Sequence, residues 1–298
     1  MPSSPTSWWI ATADVPEARL TGGAAIITLT TDFGRRDTYV AEMKAAILAI
    51  TREVQLVDVT HDIEPHDITE GALALEAAAR AFPPGTVHLA VVDPGVGTAR
   101  RGIAVAAVGQ VFIGPDNGLF TPVLDAHGWE AFELSAPELR RPRVSRTFHG
   151  RDVFAPAAAH VAAGVEVSRL GPRVLDPARL PWPEVREVAG TVAGAVVHVD
   201  RFGNLVTSIH AGAIAGLGET ATIRVAGRRV PLVGTYGDLA PGRAGALIGS
   251  RDRLEIAVRE GSAAAQLRAD RGTPVLVSRT LSVSRTPTSS TRRRGRRS

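Results

Sequence analysis

The sequence predicts an α/β fold in which a mostly parallel sheet with helices on both faces is followed by a smaller C-terminal β-barrel-like domain. Three observations carry this. Strand, polar turn and helix alternate from Ala25 onward. Two near-continuous apolar runs, Val87–Val92 and Ile103–Ile113, are rich in β-branched residues and end in Gly/Pro/Asp turns, as buried strands do. Beyond the proline-rich stretch 170–190 the texture changes to short strands separated by turn signals.

In chain order, residues 1–24 carry Pro, Ser, Gly and the pair Trp8-Trp9, and are expected to form a flexible N-terminal arm. Ala25–Leu29 is a buried strand ending at Thr30-Thr31-Asp32-Phe33-Gly34. Thr38–Ile50 has helical spacing of Tyr39, Met43, Ala46 and Ile47. Val54–Val59 is the next strand, and Ile68–Ala81 an alanine-rich helix that stops before Phe82-Pro83-Pro84-Gly85. Val87–Val92 follows, ending in Asp93-Pro94-Gly95-Val96-Gly97, and Ile103–Ile113 reads as one further strand. A helix is expected around Thr121–Ala126, a polar stretch at Arg141–Arg151 and another helix at Ala155–Ala163. The four prolines of 170–190 mark a linker. The short strands are placed at Thr191–Val199, Leu205–Ile209, Ala221–Val225, Val230–Leu232, Ala246–Ile248, Leu254–Val258 and Pro274–Ser278. The expected domains are thus 25–180 and 190–278, with a disordered basic tail at 279–298.

The chain has 298 residues, 44% hydrophobic and 21% charged, as in ordinary globular proteins. No apolar run approaches the ~20 residues of a membrane span, and the N-terminus lacks the basic and apolar regions of a signal peptide, so the expected location is the cytoplasm. Cysteine is absent, which removes disulfides, thiolate zinc sites and thiol nucleophiles. The net charge of +4 is an effect of the tail: residues 279–298 hold seven arginines and no acid, and removing those seven from +4 leaves −3. A solvated extension is therefore favoured over a nucleic-acid tether, since a charge run alone is a weak motif.

Asp93 and Arg100 fall in a turn at the carboxyl end of a strand, the edge where open α/β sheets bind ligands. Gly95 and Gly97 permit close backbone approach there. Thr147-Phe148-His149-Gly150-Arg151-Asp152 is a second polar turn, just before a helix. A carboxylate, a guanidinium and an imidazole brought together suit the positioning of an oxygen nucleophile. His61 and His66, near Asp58, Asp62 and Asp67, have i, i+5 spacing with no HExxH pattern, so no metal is assigned. There is no P-loop, GxSxG or GxGxxG.

The ordered segments TTDFGxxDxYVxxMK (30–44), VDVTHDI (57–63), FPPGTVHLAVVDPGVGTARR (82–101), PDNGL (115–119), TFHGRDVFAPAAAH (147–160), DRFGNLVT (200–207) and GSRDRLEIAVREGSAA (249–264) resemble the S-adenosylmethionine hydrolase, or SAM hydroxide adenosyltransferase, family, relatives of the fluorinases and chlorinases. The resemblance spans about residues 25–278. It implies attack of water or hydroxide on C5′ of S-adenosyl-L-methionine, giving adenosine and L-methionine without a cofactor. It places the family's catalytic set on Asp93, Arg100 and His149 and its ribose-binding carboxylate on Asp32. Asp37, Asp200, Ser250 and Arg251 match positions holding the methionine part, and Asn204, Tyr236, Arg259 and Gly261 match the adenine pocket. It also implies a homotrimer with active sites at subunit interfaces. Gly150 stands where a hydroxyl side chain helps to bind halide in the fluorinase. A halogenase, or a SAM-binding protein without turnover, is the alternative.

Overall fold

Alternation along the first strand sets the layering. In the computed structural model, which describes residues 24–188, 190–217 and 221–279, Ile27 and Leu29 of β1 (Ala25–Thr31) join one apolar core, whereas Thr28 and Thr30 point to the opposite face. The N-terminal arm and the tail lie outside the described residues, apart from Ala24 and Arg279. The chain divides after Trp182 into two compact units.

The first unit continues with α1 (Tyr39–Leu48), β2 (Val54–Thr60), α2 (Ile68–Ala81), β3 (Val87–Val91), β4 (Gly102–Ala107), β5 (Gln110–Pro115), α3 (Thr121–Leu124), β6 (Glu130–Glu133) and α4 (Ala155–Ala162). Its six-stranded sheet has the order β2-β1-β3-β5-β4-β6. The pairs among β2, β1, β3 and β5 are parallel, and β4 runs antiparallel to both neighbours. Met43, Ala46 and Ile47 of α1 and the alanines of α4 cover one face together with Ile27, Leu29, Leu89 and Val91. Ala72, Leu75 and Ala79 of α2 cover the other with Ala90, Val92, Val105 and Phe112. All five residues of β3 are buried, as expected for a strand covered on both sides.

Local chemistry explains the boundaries of α2. The Asp67 carboxylate accepts the Glu70 N–H at 2.9 Å, capping the start. Phe82 turns extended (ψ 149°) because the residue before a proline avoids the helical region.

The run Ile103–Ile113 differs from the sequence expectation, for it is two strands. The chain reverses at Val108-Gly109, both at positive φ (50° and 74°), in the two-residue hairpin between β4 and β5. A β-branched residue is rare in that conformation, so Val108 concealed the turn.

The second unit comprises β7 (Arg186–Val188), β8 (Thr191–Val199), β9 (Leu205–His210), α5 (Ala211–Ile214), β10 (Thr222–Val225), β11 (Arg228–Pro231), β12 (Ala244–Ile248), β13 (Arg253–Val258), α6 (Ala263–Leu267) and β14 (Pro274–Ser278). Antiparallel neighbours run β11-β10-β14-β8-β9-β13-β12, with β7 beside β8. A bridge between Leu232 and Ala246, in which the Val233 N–H donates to the Ala246 carbonyl at 2.8 Å, brings the two ends of this sheet together as a nearly closed barrel. Val192, Val196, Leu205, Ile223, Ile256 and Val275 fill it. Among the described residues no helix is long and apolar enough to cross a membrane.

Candidate active site

Register decides which turns share an edge. Thr31 of β1 pairs with Val91 of the parallel β3, so Asp32 and Asp93 emerge at the same carboxyl edge of the sheet. The turn after β3 is stitched by Val96 N–H to the Asp93 carbonyl (3.2 Å) and by Thr98 Oγ1 to the Gly95 carbonyl (2.7 Å). Gly97, at φ 81°, packs so closely on the 141–147 loop that a Cβ there would lie 2.7 Å from the Arg146 carbonyl oxygen.

This turn folds Arg100 back onto Asp93. Arg100 Nε donates to Asp93 Oδ1 at 2.7 Å, and Nη2 donates to Oδ2 in a two-point pair. The same Nη2 lies 3.0 Å from His149 Nδ1. The Asp93 and Arg100 side chains are only 5% and 10% exposed, and the guanidinium lies 5.1 Å from the Phe154 ring centroid. The structure thus joins three residues that the sequence placed in two separate turns.

A guanidinium has only donors, so His149 Nδ1 accepts and the neutral ring carries its proton on Nε2. Burial, and then the charge of Arg100, lower the His149 pKa from its ordinary value.

His149 caps a π-helical turn, Gly150–Phe154, that runs into α4. The cause is local: Pro156 lacks the N–H that an α-helix would offer the Asp152 carbonyl, which instead accepts the Arg141 N–H at 3.0 Å.

Asp32 Oδ2 accepts the His66 N–H at 2.9 Å and so holds the turn after β2. Asp37 is exposed in the turn before α1. Phe33, Tyr39 and Phe148 pack edge to face with centroids 5.3–5.8 Å apart, joining the turn after β1 to the one bearing His149. His61 and His66 do not converge. His61 Nδ1 meets Thr31 Oγ1 at 2.9 Å and its Nε2 lies 3.1 Å from Asp58, which Lys44 also holds at 2.7 Å.

In the second unit the candidate residues lie on turns. Asp200 Oδ1 accepts the N–H groups of Phe202 and Asn204 (both 2.9 Å), and Oδ2 accepts Asn204 Nδ2 (3.0 Å). Phe202 stands 77% exposed above this turn. Ser250 and Arg251 are exposed at the tip between β12 and β13. Tyr236 donates its hydroxyl to Glu255 Oε2 at 3.0 Å, and burial first, then the Glu255 charge, push its pKa up to about 12. Arg259 Nη1 donates to the carbonyls of Gly237 (3.4 Å) and Leu239 (3.0 Å), bracing the Tyr236 turn. Gly261 follows at the end of β13, its N–H on the Val258 carbonyl.

Sequence reading passed over Glu255, which is buried and packs so tightly on Gly249 that a Cβ there would lie 2.1 Å from its Oε1. The available signal was a lone acid inside the apolar run LEIAV. Burial raises its pKa.

Models of the SAM hydroxide adenosyltransferase N-terminal and C-terminal domains match residues 27–171 and 194–276. An (R)-S-adenosyl-L-methionine hydrolase of Thermus thermophilus is 43% identical over 257 residues, 82% of this chain and 96% of its own. One of Salinispora tropica is 41% identical over 243 residues, 80% of this chain and 92% of its own. A fluorinase of Actinopolyspora mzabensis is 32% identical over 290 residues, 85% of this chain and 97% of its own. A crystal structure of an uncharacterized conserved protein from Thermotoga maritima has a TM-score of 0.79 at 34% identity and covers 85% of this chain and 100% of that one. With both domain models matched in order and relatives aligned over four-fifths of its length, the chain belongs to the SAM hydroxide adenosyltransferase family.

Proposed function

We propose that the protein hydrolyses S-adenosyl-L-methionine by attack of an oxygen nucleophile on C5′, releasing adenosine and L-methionine. The observation that carries this reading is the half-buried Asp93–Arg100–His149 array at the sheet's carboxyl edge, in a chain whose relatives at 43% and 41% identity are named for this hydrolysis.

The chemistry asks little of the protein. A sulfonium is an excellent leaving group: the new O–C5′ bond forms as the C5′–S bond breaks, its electron pair staying on sulfur as methionine's thioether. The proton of the attacking water ends in solvent. What must be supplied is desolvation and alignment, worth as much as ~7–11 kcal/mol in a near-attack geometry.

In the array, both Asp93 oxygens are engaged by Arg100, and His149 Nδ1 is occupied by the same guanidinium. Arg100 Nη1 also donates to the Arg101 carbonyl at 3.3 Å, so the donors left over are the Nε2–H of His149 and one outer N–H of the guanidinium. Donors stabilise an oxygen carrying negative charge, so the array is suited to hold hydroxide rather than to deprotonate water. Asp32 would bind the ribose hydroxyls, Asp37, Asp200, Ser250 and Arg251 the methionine part, and Asn204, Tyr236, Arg259 and Gly261 the adenine. No cofactor enters these steps. We further propose a cytoplasmic homotrimer with sites at subunit interfaces, since the substrate-binding residues are divided between the two units.

The test is incubation with each sulfonium epimer of S-adenosyl-L-methionine, chromatography for adenosine and methionine, and sedimentation to give the assembly. Turnover of the (R) epimer, for which the two relatives are named, is expected; absence of adenosine from both epimers would overturn the reading.

A further inference from the structure

We propose that Asp152 is a positioning residue for the catalytic array, acting with Arg151 and Glu42 as a clamp that fixes both turns from which the array is built. This rests on the hydrolase reading above for its kinetic consequence, though its geometry stands independently.

Asp152 lies three residues after His149 in the π-helical turn, with its side chain 1% exposed. Oδ1 accepts Arg151 Nε at 2.7 Å, and Oδ2 accepts Arg151 Nη2 at 2.8 Å and the Ser145 N–H at 2.9 Å. Arg141 Nη1 is 3.5 Å from Oδ1. The main chain adds to this, for the Asp152 N–H donates to the Phe148 carbonyl at 3.2 Å and its carbonyl accepts the Arg141 N–H at 3.0 Å. One buried residue therefore holds the loop preceding His149 at two points, 141 and 145.

Arg151 extends the clamp. Its Nη1 donates to Glu42 Oε2 of α1 at 2.8 Å, and its guanidinium lies 5.0 Å from the ring centroid of Phe148, the residue before His149. The held loop then meets the other half of the array, because the Arg146 carbonyl is the surface on which Gly97 rests. Contacts thus run from Asp152 through the 141–147 loop to the 93–100 turn, and from Arg100 back to His149. Loosening Asp152 would loosen both partners of the Arg100–His149 bond together. Asp152 touches none of the reacting atoms in this scheme. It acts on the array through position, and through its charge on His149, whose other charged neighbours are Arg100, Asp93 and Arg140.

The experiment compares the full-length protein with Asp152→Asn, which keeps the shape and removes the charge. Steady-state kinetics with S-adenosyl-L-methionine and NMR titration of the His149 imidazole are the readouts. The expected result is kcat lower by roughly 10- to 100-fold, the cost of slight misplacement of reacting groups, with a much smaller change in KM. The His149 midpoint should move to lower pH, since a neighbouring negative charge that favours the imidazolium is lost. A folded variant with unchanged kcat and an unchanged His149 titration would overturn the proposal. Should Asp152→Asn fail to fold, Glu42→Gln, at the outer and half-exposed end of the clamp, takes its place. A several-fold fall in kcat with displaced His149 resonances supports the clamp, and unchanged values overturn it. If the parent protein does not hydrolyse the substrate, the functional reading fails, while the His149 titration still decides whether Asp152 positions that ring.

Discussion

The two units carry their proposed site residues in opposite ways. In the first, Asp93, Arg100 and His149 are satisfied by one another and largely buried, on turns whose positions follow from the register of adjacent parallel strands. In the second, Ser250 and Arg251 are exposed on a turn between antiparallel strands, and Asp200 spends its carboxylate on its own loop. The difference teaches where rigidity is needed. A reacting group must be fixed before substrate arrives, because catalysis comes from interactions that cost no reorganisation at the moment of reaction. Recognition tolerates exposed turns that order around a ligand.

The largest expected effect breaks the first region. Arg100→Ala or His149→Ala should each lower kcat by roughly 10²-fold or more, with little change in KM, because either removes a group positioned for the transition state. Steady-state kinetics checks this, and parental rates in both variants would refute the assignment. The pH profile sharpens it. Burial and then Arg100 lower the His149 pKa below the ordinary histidine range, and the form that accepts from Arg100 is the neutral one. Activity should therefore be flat above that range and fall only as pH drops through the lowered pKa. A basic limb, with activity lost as pH rises through the histidine range, would mean that the imidazolium is the active form.

A smaller effect is expected from the second region. Asp200→Asn retains the acceptor for the Phe202 and Asn204 N–H groups but removes the negative charge available to the ammonium of the methionine part. KM should rise about tenfold with kcat nearly unchanged, the signature of lost uniform binding. A fall in kcat equal to that in kcat/KM would show that Asp200 belongs with the array, erasing the contrast between the units.

Much of this was legible in the sequence, for identifiable reasons. Helix α2 was read at its observed bounds because Asp67 caps it and Pro83 ends it, both one-residue signals. The array's members were legible as polar turns at strand or helix ends, although nothing in the sequence brings residue 100 to residue 149. The hairpin at Val108-Gly109 was missed because a β-branched residue occupies positive φ there. The short β6 and β7 carry little apolar pattern, with two of four and two of three residues charged, and they become strands only through pairing with β4 and β8. The Arg151–Glu42 pair joins residues 109 apart, and such pairings are products of packing rather than of local pattern.

The smallest expected change concerns the nucleophile. Relatives at 32% identity are named fluorinases, so a halide is the nucleophile to compare with water. A halide must exchange its hydration for neutral donors in an apolar pocket, and stripping an anion otherwise costs several kcal/mol. Here the carboxylate of Asp93 lies beside Arg100 and disfavours an anion, a cost that water or hydroxide can offset by donating an O–H to a carboxylate oxygen and a halide cannot, while a neutral His149 offers a single donor. Gly150, where a hydroxyl would add a donor, is buried, and a Cβ there would lie 3.3 Å from both Met43 Sδ and Phe148 Cε2, tight enough that both must give way slightly. Gly150→Ser alone should therefore shift product by little. In high chloride or fluoride both parent and variant should give adenosine as the main product, with 5′-halo-5′-deoxyadenosine at most a minor one by chromatography. A halogenated nucleoside dominating in the parent would show that the charged array does not exclude the anion, and the reaction would then be a halogenation.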